Sequence, residues 1–205
     1  MLKAKIAVLV SGGGTNLQAL IDAQNSGNLK AGEIALVISN NADAYALTRA
    51  HNNNIPYEVV SKKVCGSQEK FEEEINNYIK EYDIDLIVLA GFMCILSEKF
   101  TSKYPRRIIN VHPSLIPSFC GKGFYGLKVH QAALDYGVKV TGATVHFVNE
   151  IPDGGEIIMQ KAVNICKNDT AQSLQQRVMR IAEWKILPQA VEMVSEEIIK
   201  QKENA

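Results

Sequence analysis

Short apolar runs alternate with segments of helical periodicity over most of the chain. Residues 5–10 form a continuous apolar run that a glycine loop closes, which is typical of a strand buried on both faces. The alternation continues with strands predicted at 33–39, 57–61, 85–90 and 107–111 and helices at 17–26, 44–52, 68–81 and 127–136. Because helices separate successive strands, we expect a parallel sheet with right-handed crossovers and helices on both faces.

The C-terminal part departs from this alternation. Strands predicted at 140–148 and 156–163 flank a short turn and should pair as an antiparallel hairpin. A capping box at 169–172 then opens a long helix that is interrupted or restarted at Pro188. The fold class is therefore α/β, a single-domain Rossmann-like open sheet over 1–205, mostly parallel with a C-terminal antiparallel hairpin. We expect a phosphate-binding half at about 1–100 and a catalytic half at about 101–205.

Composition limits the possible partners. The chain has 205 residues, with 22 Lys and Arg against 22 Asp and Glu, so its formal net charge is zero. Without a cationic excess we expect neither nucleic acid nor an acidic membrane as a partner. The four cysteines stand singly, without metal-ligand spacing, so we expect no metal site. There is no cleavable signal pattern and no apolar run long enough to cross a bilayer, which predicts a cytoplasmic protein.

The first predicted strand ends in a glycine loop that opens a helix. The loop and the first helical residues are Gly12, Gly13, Gly14, Thr15 and Asn16. Ligands of open parallel sheets bind at the carboxyl ends of the strands, and the free N–H groups of a helix start suit a phosphate. No Gly-Lys-Ser/Thr follows, and Leu17 replaces the third glycine of the dinucleotide fingerprint. The loop therefore predicts a phosphate monoester site, with a tight turn that binds nothing as the alternative.

Three polar side chains on the later strands suit acyl transfer. Asn110 and His112 are two residues apart in an extended segment and should project to the same side, and Asp153 lies in the hairpin turn. An amide N–H stabilises an oxyanion, a histidine carries a proton near neutral pH, and a carboxylate steadies an imidazolium. Each residue has an ordinary explanation as a turn or loop residue. Together, beside a phosphate loop, they predict metal-independent acyl-type transfer.

Other polar residues carry less weight. Ser114 is a possible nucleophile, but no nucleophile elbow surrounds it, so direct transfer is favoured. His130 follows a loop rich in Pro, Gly and Ser and could either pack or contact a substrate. His146 lies in the middle of a strand and is expected to be a hydrogen-bonded core histidine.

Four segments together resemble the phosphoribosylglycinamide formyltransferase family. They are residues 10–18, 89–93, 109–117 and 142–148, followed by Asp-Gly-Gly at 153–155. The segment around Asn110 and His112 is similar in other folate formyl-transferring enzymes and so indicates the chemistry, whereas the glycine loop indicates the substrate. The resemblance covers about residues 5–191.

The resemblance implies a function in purine biosynthesis. The amine of glycinamide ribonucleotide (GAR) would attack the formyl carbon of the co-substrate 10-formyltetrahydrofolate directly, giving formyl-GAR and tetrahydrofolate. Asn110 would stabilise the tetrahedral oxyanion, and His112 would protonate the departing folate nitrogen. Asp153 would favour the charged form of His112 and organise a proton-shuttling water.

The resemblance also implies the binding residues. Gly12, Gly13, Gly14, Thr15 and Asn16 would hold the ribose phosphate, with Arg180 and Glu183 on the ribose side. The implied folate contacts are Gln68, Met93, Cys94, Ile95, Leu96, Asn110, Asn149, Glu150, Ile151, Pro152 and Asp153.

The chain departs from the family pattern at three places. Cys94 stands where many members have Arg, and Gln68 aligns where an Arg often meets the folate tail. Recognition of the tail carboxylate would then come from elsewhere, with Lys62, Lys63 and Lys70 as candidates. The loop at 118–128 is longer than in many members and is a candidate lid.

Several functions remain to be distinguished. Methionyl-tRNA formyltransferase would carry a further C-terminal RNA-binding domain and a basic surface, and formyltetrahydrofolate deformylase an N-terminal regulatory domain and no phosphate loop. A phosphosugar-binding module would explain the glycine loop but not the polar cluster. We expect a formyltransferase that is a monomer or a weak homodimer, with small-molecule substrates.

Overall fold

One seven-stranded sheet organises the computed structural model, which describes residues 2–204. The strands are β1 Ala4–Val10, β2 Gly32–Ser39, β3 Tyr57–Val59, β4 Leu86–Leu89, β5 Ile108–His112, β6 Val140–Phe147 and β7 Ile157–Asn164. Their order across the sheet is β3-β2-β1-β4-β5-β6-β7. The pairs from β3 to β5 are parallel, whereas β5–β6 and β6–β7 are antiparallel. The predicted mostly parallel sheet with an antiparallel C-terminal hairpin is confirmed.

Helices cover both faces of the sheet. They are α1 Thr15–Asn25, α2 Tyr45–Asn52, α3 Lys62–Cys65, α4 Gln68–Glu81, α5 Glu98–Thr101, α6 Leu127–Tyr136, α7 Ala171–Val178 and α8 Trp184–Glu203, with a π turn at Met179–Glu183. The sequence periodicity predicted α4 and α6 at their observed bounds. The two four-residue helices α3 and α5 were not predicted, because segments so short carry no periodic pattern.

Two apolar cores result from the alternation of side chains along the strands. In β1, Ile6 and Val8 pack in a core with Leu17 of α1, while Ala7 and Leu9 pack on the opposite face with Phe71 of α4. All six side chains are fully buried. From Ile6 to Val10 the strand is covered on both faces and has no solvent-facing position, which explains the apolar run there, whereas Lys5 before it is partly exposed.

The predicted capping box is wrong by one residue. Thr170, not Asp169, is the N-cap of α7: its hydroxyl accepts a hydrogen bond from the N–H of Ser173, whose hydroxyl accepts from the N–H of Thr170. Asp169 instead forms an ion pair with Arg177. The Asp169 carboxylate, which could have capped the helix, is therefore paired with a cation about two turns further along α7.

The C-terminal helix is irregular before Pro188 and continues through it. The irregularity is the π turn at Met179–Glu183, and α8 runs on past Pro188 without a break. Proline has no N–H for the carbonyl of Trp184, which lies where the π turn ends. The wider turn buries Ala182 and Glu183, whereas Ile181, which continues the helical spacing of the buried Leu174 and Val178, is 39% exposed.

Candidate active site

The carboxyl ends of β1, β4 and β5 open into one cavity of about 850 Å³. Thirteen of the predicted site residues line it: Gly12, Gly13, Gly14, Thr15, Asn16, Met93, Cys94, Ile95, Asn110, His112, Pro152, Asp153 and Glu183. They come from both halves of the chain, and the sheet-end argument explains why they meet. We call this space the main cavity.

Six predicted residues lie outside the main cavity. Gln68 and Leu96 line an adjoining cavity of about 500 Å³, together with Lys62. Arg180 is exposed and lines a separate surface cavity. Asn149, Glu150 and Ile151 precede the hairpin turn, and the last two are exposed. The fold thus brings the predicted catalytic residues together with the glycine loop but spreads the predicted folate contacts over several sites.

The glycine loop has a geometry that requires glycine at position 14. Gly14 is the N-cap of α1 and has φ 68°, in the left-handed region. A Cβ at this position would lie 2.7 Å from Cβ of Ala46 in α2. Both the backbone conformation and the close approach of α2 therefore exclude a larger residue. The loop is held against α2 while α1 begins at the edge of the main cavity.

Asn16 and Glu183 form a buried pair at the glycine-loop side of the main cavity. The Asn16 side-chain amide donates a 2.7 Å hydrogen bond to Oε2 of Glu183, and both residues are less than a tenth exposed. Burial raises the pKa of Glu183 to about 7, against the opposing effect of the hydrogen bond from Asn16. A carboxyl group with that pKa can both donate and accept hydrogen bonds near neutral pH, which suits sugar hydroxyls.

His146 fixes the orientation of the Asn110 side chain. His146 Nδ1 lies 2.8 Å from the carbonyl oxygen of Phe147, which can only accept, so Nδ1 carries the proton. Burial lowers the pKa of His146, so the ring is neutral and Nε2 is an acceptor. Asn110 Nδ2 lies 3.1 Å from that Nε2 and donates to it. The amide nitrogen retains a second N–H for a ligand in the main cavity.

His112 lies between two oxygen acceptors. Its Nε2 is 2.9 Å from the carbonyl oxygen of Phe119, and its Nδ1 is 3.5 Å from Oδ2 of Asp153. The second distance is that of an ionic contact rather than a strong hydrogen bond. Asp153 Oδ2 also accepts a 2.8 Å hydrogen bond from the N–H of Gly121. An imidazolium can donate toward both oxygens, so this arrangement suits a residue that holds and releases a proton.

The hairpin turn brings Asp153 to the end of β5. Asp153 has φ 57°, a left-handed conformation that aspartate tolerates better than most residues. A Cβ at Gly155 would lie 1.7 Å from the carbonyl oxygen of Phe147, so only glycine fits there. The turn therefore closes tightly on β6, whose residue His146 pairs in register with Asn110. This packing sets the distance from Asp153 to His112.

Two contributors to the site were not assigned from the sequence, His146 and His130. His146 contacts the predicted catalytic residue Asn110 rather than only filling the core. His130 lines the main cavity, is fully buried, and burial lowers its pKa to about 4. Within residues 2–204, neither ring nitrogen of His130 has a hydrogen-bond partner. Residues 121–126, which belong to the candidate lid at 118–128, form one wall of the cavity.

The positions that lack arginine have local hydrogen bonds. Cys94 Sγ accepts from the side-chain amide of Asn40, and Gln68 donates to the carbonyl oxygen of Ile95. Both residues adjoin Lys62 in the smaller cavity, whereas Lys63 and Lys70 do not line it. Of the three lysines proposed from the sequence, Lys62 is therefore the one next to Cys94 and Gln68.

Residues 2–204 contain neither a cluster of metal ligands nor a helix suited to span a membrane. In that range, no group of three or more His, Cys, Asp or Glu side chains is placed to hold a metal ion. None of the helices in the same range is long and apolar enough to cross a membrane.

Comparison with known proteins identifies similar chains. The family model described as formyl transferase matches residues 4–191. Phosphoribosylglycinamide formyltransferase of Haemophilus influenzae is 43% identical over 200 residues, 98% of this chain and 91% of that protein. The Homo sapiens trifunctional purine biosynthetic protein adenosine-3 is 44% identical over 202 residues, 98% of this chain but 19% of that protein. This chain therefore spans about a fifth of the trifunctional relatives from Homo sapiens and Bos taurus.

Solved structures agree with these sequence matches. The crystal structure of glycinamide ribonucleotide transformylase 1 from Symbiobacterium toebii superposes with a TM-score of 0.89 at 38% identity, covering 95% of this chain and 89% of that one. Phosphoribosylglycinamide formyltransferase from Anaplasma phagocytophilum gives a TM-score of 0.84 at 41% identity, with coverage of 95% and 88%.

Proposed function

The chain belongs to the formyl transferase family, and from that premise we propose that it transfers a formyl group from 10-formyltetrahydrofolate to the amine of glycinamide ribonucleotide. One observation carries the proposal: the glycine loop, the Asn16–Glu183 pair and the Asn110, His112 and Asp153 cluster line a single cavity. A deformylase needs only the last of these features. The loop and the buried pair are explained by a second, phosphorylated substrate.

The ribonucleotide occupies the glycine-loop end of the main cavity. The phosphate accepts hydrogen bonds from the free N–H groups at the start of α1, where the helix dipole also favours an anion. Glu183 and Asn16 lie beside it and bind the ribose hydroxyls. Arg180, exposed on the π turn, contributes at most to the outer edge of this site.

The chemical step takes place at the end of β5. The amine nitrogen forms a bond to the formyl carbon, and the free N–H of Asn110 stabilises the oxyanion of the tetrahedral intermediate. The bond from that carbon to the folate nitrogen then breaks, and His112 gives its proton to this nitrogen. The proton lost by the attacking amine returns to His112 through a water held by Asp153, so that protons balance over the turnover.

The formyl folate enters from the other side of the cavity. Its pterin lies against Met93, Cys94 and Ile95, and its glutamate tail extends toward the adjoining cavity, where Lys62 supplies the cation. Pro152 and the loop at 118–128 close over it. In that loop the carbonyl oxygen of Phe119 contacts His112, and the N–H of Gly121 donates to Asp153. Closure of the loop is therefore directly connected to the catalytic side chains.

An assay with two arms tests the function. We expect formyl transfer from 10-formyltetrahydrofolate only when glycinamide ribonucleotide is present, with formyl-GAR and tetrahydrofolate formed in equal amounts. Equal turnover without the ribonucleotide would identify a deformylase. Ribonucleotide binding without turnover under any condition would identify a binding module. We also propose a cytoplasmic enzyme that is a monomer or weak homodimer, which sedimentation over a range of concentrations would test.

A further inference from the structure

Helix α2 holds two consecutive carbonyl groups of the glycine loop. The N–H of Ala46, in the first turn of α2, donates a 3.0 Å hydrogen bond to the carbonyl oxygen of Gly12. Arg49, one turn later, donates from Nε to the carbonyl oxygen of Gly13 at 2.8 Å. The loop is thus attached to α2 through the oxygens of its two central peptide groups.

These two contacts determine where the loop N–H groups point. In a trans peptide the N–H is antiparallel to the preceding C=O, and among residues 2–204 the cis bond is at Ile116–Pro117. The N–H groups of Gly13 and Gly14 therefore point away from α2. Within the described residues neither donates to a protein acceptor. The main cavity is lined by all three loop glycines and, in the described part of the chain, by no residue of α2.

The Arg49 side chain is itself held in place. Its Nη1 donates a 2.8 Å hydrogen bond to Oε1 of Gln18, whose amide nitrogen donates in turn to Asp22 at 2.9 Å. Its guanidinium carbon also lies 5.0 Å from the centre of the Tyr45 ring. Two hydrogen bonds in different directions from one rigid plane fix the guanidinium, and a lysine ammonium cannot reproduce them.

We propose that Arg49 is a positioning residue for phosphate binding: by holding the carbonyl of Gly13 it keeps the N–H of Gly14 directed into the main cavity, toward the ribonucleotide phosphate. The inference rests on the proposed function for the identity of that ligand. Arg49 acts through the loop rather than as a charge on the phosphate, so the shape of its side chain matters and not only its cation.

The test compares Arg49→Met and Arg49→Lys with the wild type on two acceptors, glycinamide ribonucleotide and its 5′-dephosphorylated ribonucleoside. We expect both variants to raise the KM and the calorimetric Kd for the ribonucleotide about tenfold, the effect of misplacing one or two hydrogen bonds to a charged group. The kcat and the KM for formyl folate should stay within about twofold. With the ribonucleoside, kcat/KM should be unchanged, because the phosphate is absent.

Controls separate the possible explanations. Arg107→Met removes a surface arginine that also donates to a glutamine, Gln201, far from the loop, and should change nothing. Gln18→Ala removes one partner of Arg49 but leaves its hydrogen bond to Gly13, so it should raise the KM for the ribonucleotide by a smaller factor. This variant tests the proposal if Arg49→Met folds poorly.

Three results would overturn the proposal: full recovery in Arg49→Lys, an equal loss with both acceptors, or an unchanged Kd for the ribonucleotide. If the wild type binds the ribonucleotide with the expected dependence on Arg49 but transfers no formyl group, the proposed function fails and the role of Arg49 stands. If the wild type does not bind the ribonucleotide, both fail.

Discussion

At the scale of single residues, the site depends on how each polar side chain is partnered. His112 is only 5% exposed, although it lines the main cavity. Its partners are a backbone carbonyl and a carboxylate, and both favour donation from the ring. Asn110 is oriented by a neutral histidine, so that one of its two N–H groups is left for an oxyanion. These contacts make the two residues suited to different parts of the same reaction.

Replacing His112 with Gln should remove most activity and preserve the fold. Glutamine fills a similar volume and can still donate to the carbonyl of Phe119, but it cannot deliver a proton. We expect single-turnover formyl transfer to fall about 10²–10⁴-fold, the usual range for loss of a general acid or base. His51→Gln, at an exposed histidine, is the control. A rate within a few fold of wild type would remove His112 from the catalytic step.

Glu183 should make the free energy of unfolding depend on pH. Its pKa is about 7 in the folded protein against an ordinary value of 4.5. As pH rises between these two values, Glu183 ionises in the unfolded chain but not in the folded protein, so the free energy of unfolding falls. Above the folded pKa it stays at the lower value. The free energy of unfolding of Glu183→Gln, relative to that of the wild type, should increase by up to about 3 kcal/mol between pH 5 and pH 8. Chemical denaturation at several pH values measures this.

A matched variant supports the interpretation. Glu196 lies in α8 and is exposed, so Glu196→Gln should leave the pH dependence as it is in the wild type. Parallel curves for wild type and Glu183→Gln would mean that the Glu183 carboxyl is ionised at its ordinary pKa.

At the scale of elements, the hairpin turn between β6 and β7 decides the position of Asp153. Gly155→Ala should disrupt it, because a Cβ would overlap the carbonyl oxygen of Phe147. Moving Asp153 from His112 should lower kcat by roughly 10²-fold, as small displacements of catalytic groups do. The Cβ added by Gly154→Ala would contact mainly the exposed Ile151 side chain, so this variant should lose less activity. Equal activity of Gly155→Ala and wild type would show that the turn does not determine the distance between Asp153 and His112.

The sequence predicts the strands and the long helices because the apolar residues that each element buries recur with the period of that element. It predicts the π turn poorly: Ile181 continues the 3.6-residue spacing, and only the packed structure shows that Ala182 and Glu183 take its place. The cap of α7 was misplaced because Asp169 and Thr170 are both good caps, and the distant Arg177 decides between them.

The sequence also predicts only part of the candidate site. Asn110, His112 and Asp153 could be grouped because strand ends and turns are readable from sequence. The pairing of Asn110 with His146 depends on the register of β5 and β6, which single-sequence periodicity does not give. The orphaned nitrogens of His130 and the acceptor role of the Phe119 carbonyl depend on loop conformation. Neither leaves any pattern of residue types in the chain.

At the scale of the whole molecule, charge is balanced and binding is local. The 22 basic and 22 acidic residues make the formal net charge zero, so an anionic substrate receives no long-range attraction from a net positive charge. The phosphate site relies instead on N–H groups at one helix start, and the proposed tail site on Lys62. Interactions of this kind act within a few ångströms, where dissolved salt screens them less than it screens a diffuse surface field.

This balance predicts a weak dependence of kcat/KM for the ribonucleotide on ionic strength. Between about 0.05 and 0.5 M KCl the Debye length shrinks from roughly 14 to 4 Å, which suppresses long-range steering but leaves direct hydrogen bonds in place. We expect kcat/KM to fall less than about threefold, whereas electrostatic steering accelerates association by about 10-fold or more and is lost over this range. Steady-state rates at constant pH across the salt series provide the measurement. A decline of tenfold or more would mean that cationic side chains, rather than the backbone of the glycine loop, capture the phosphate.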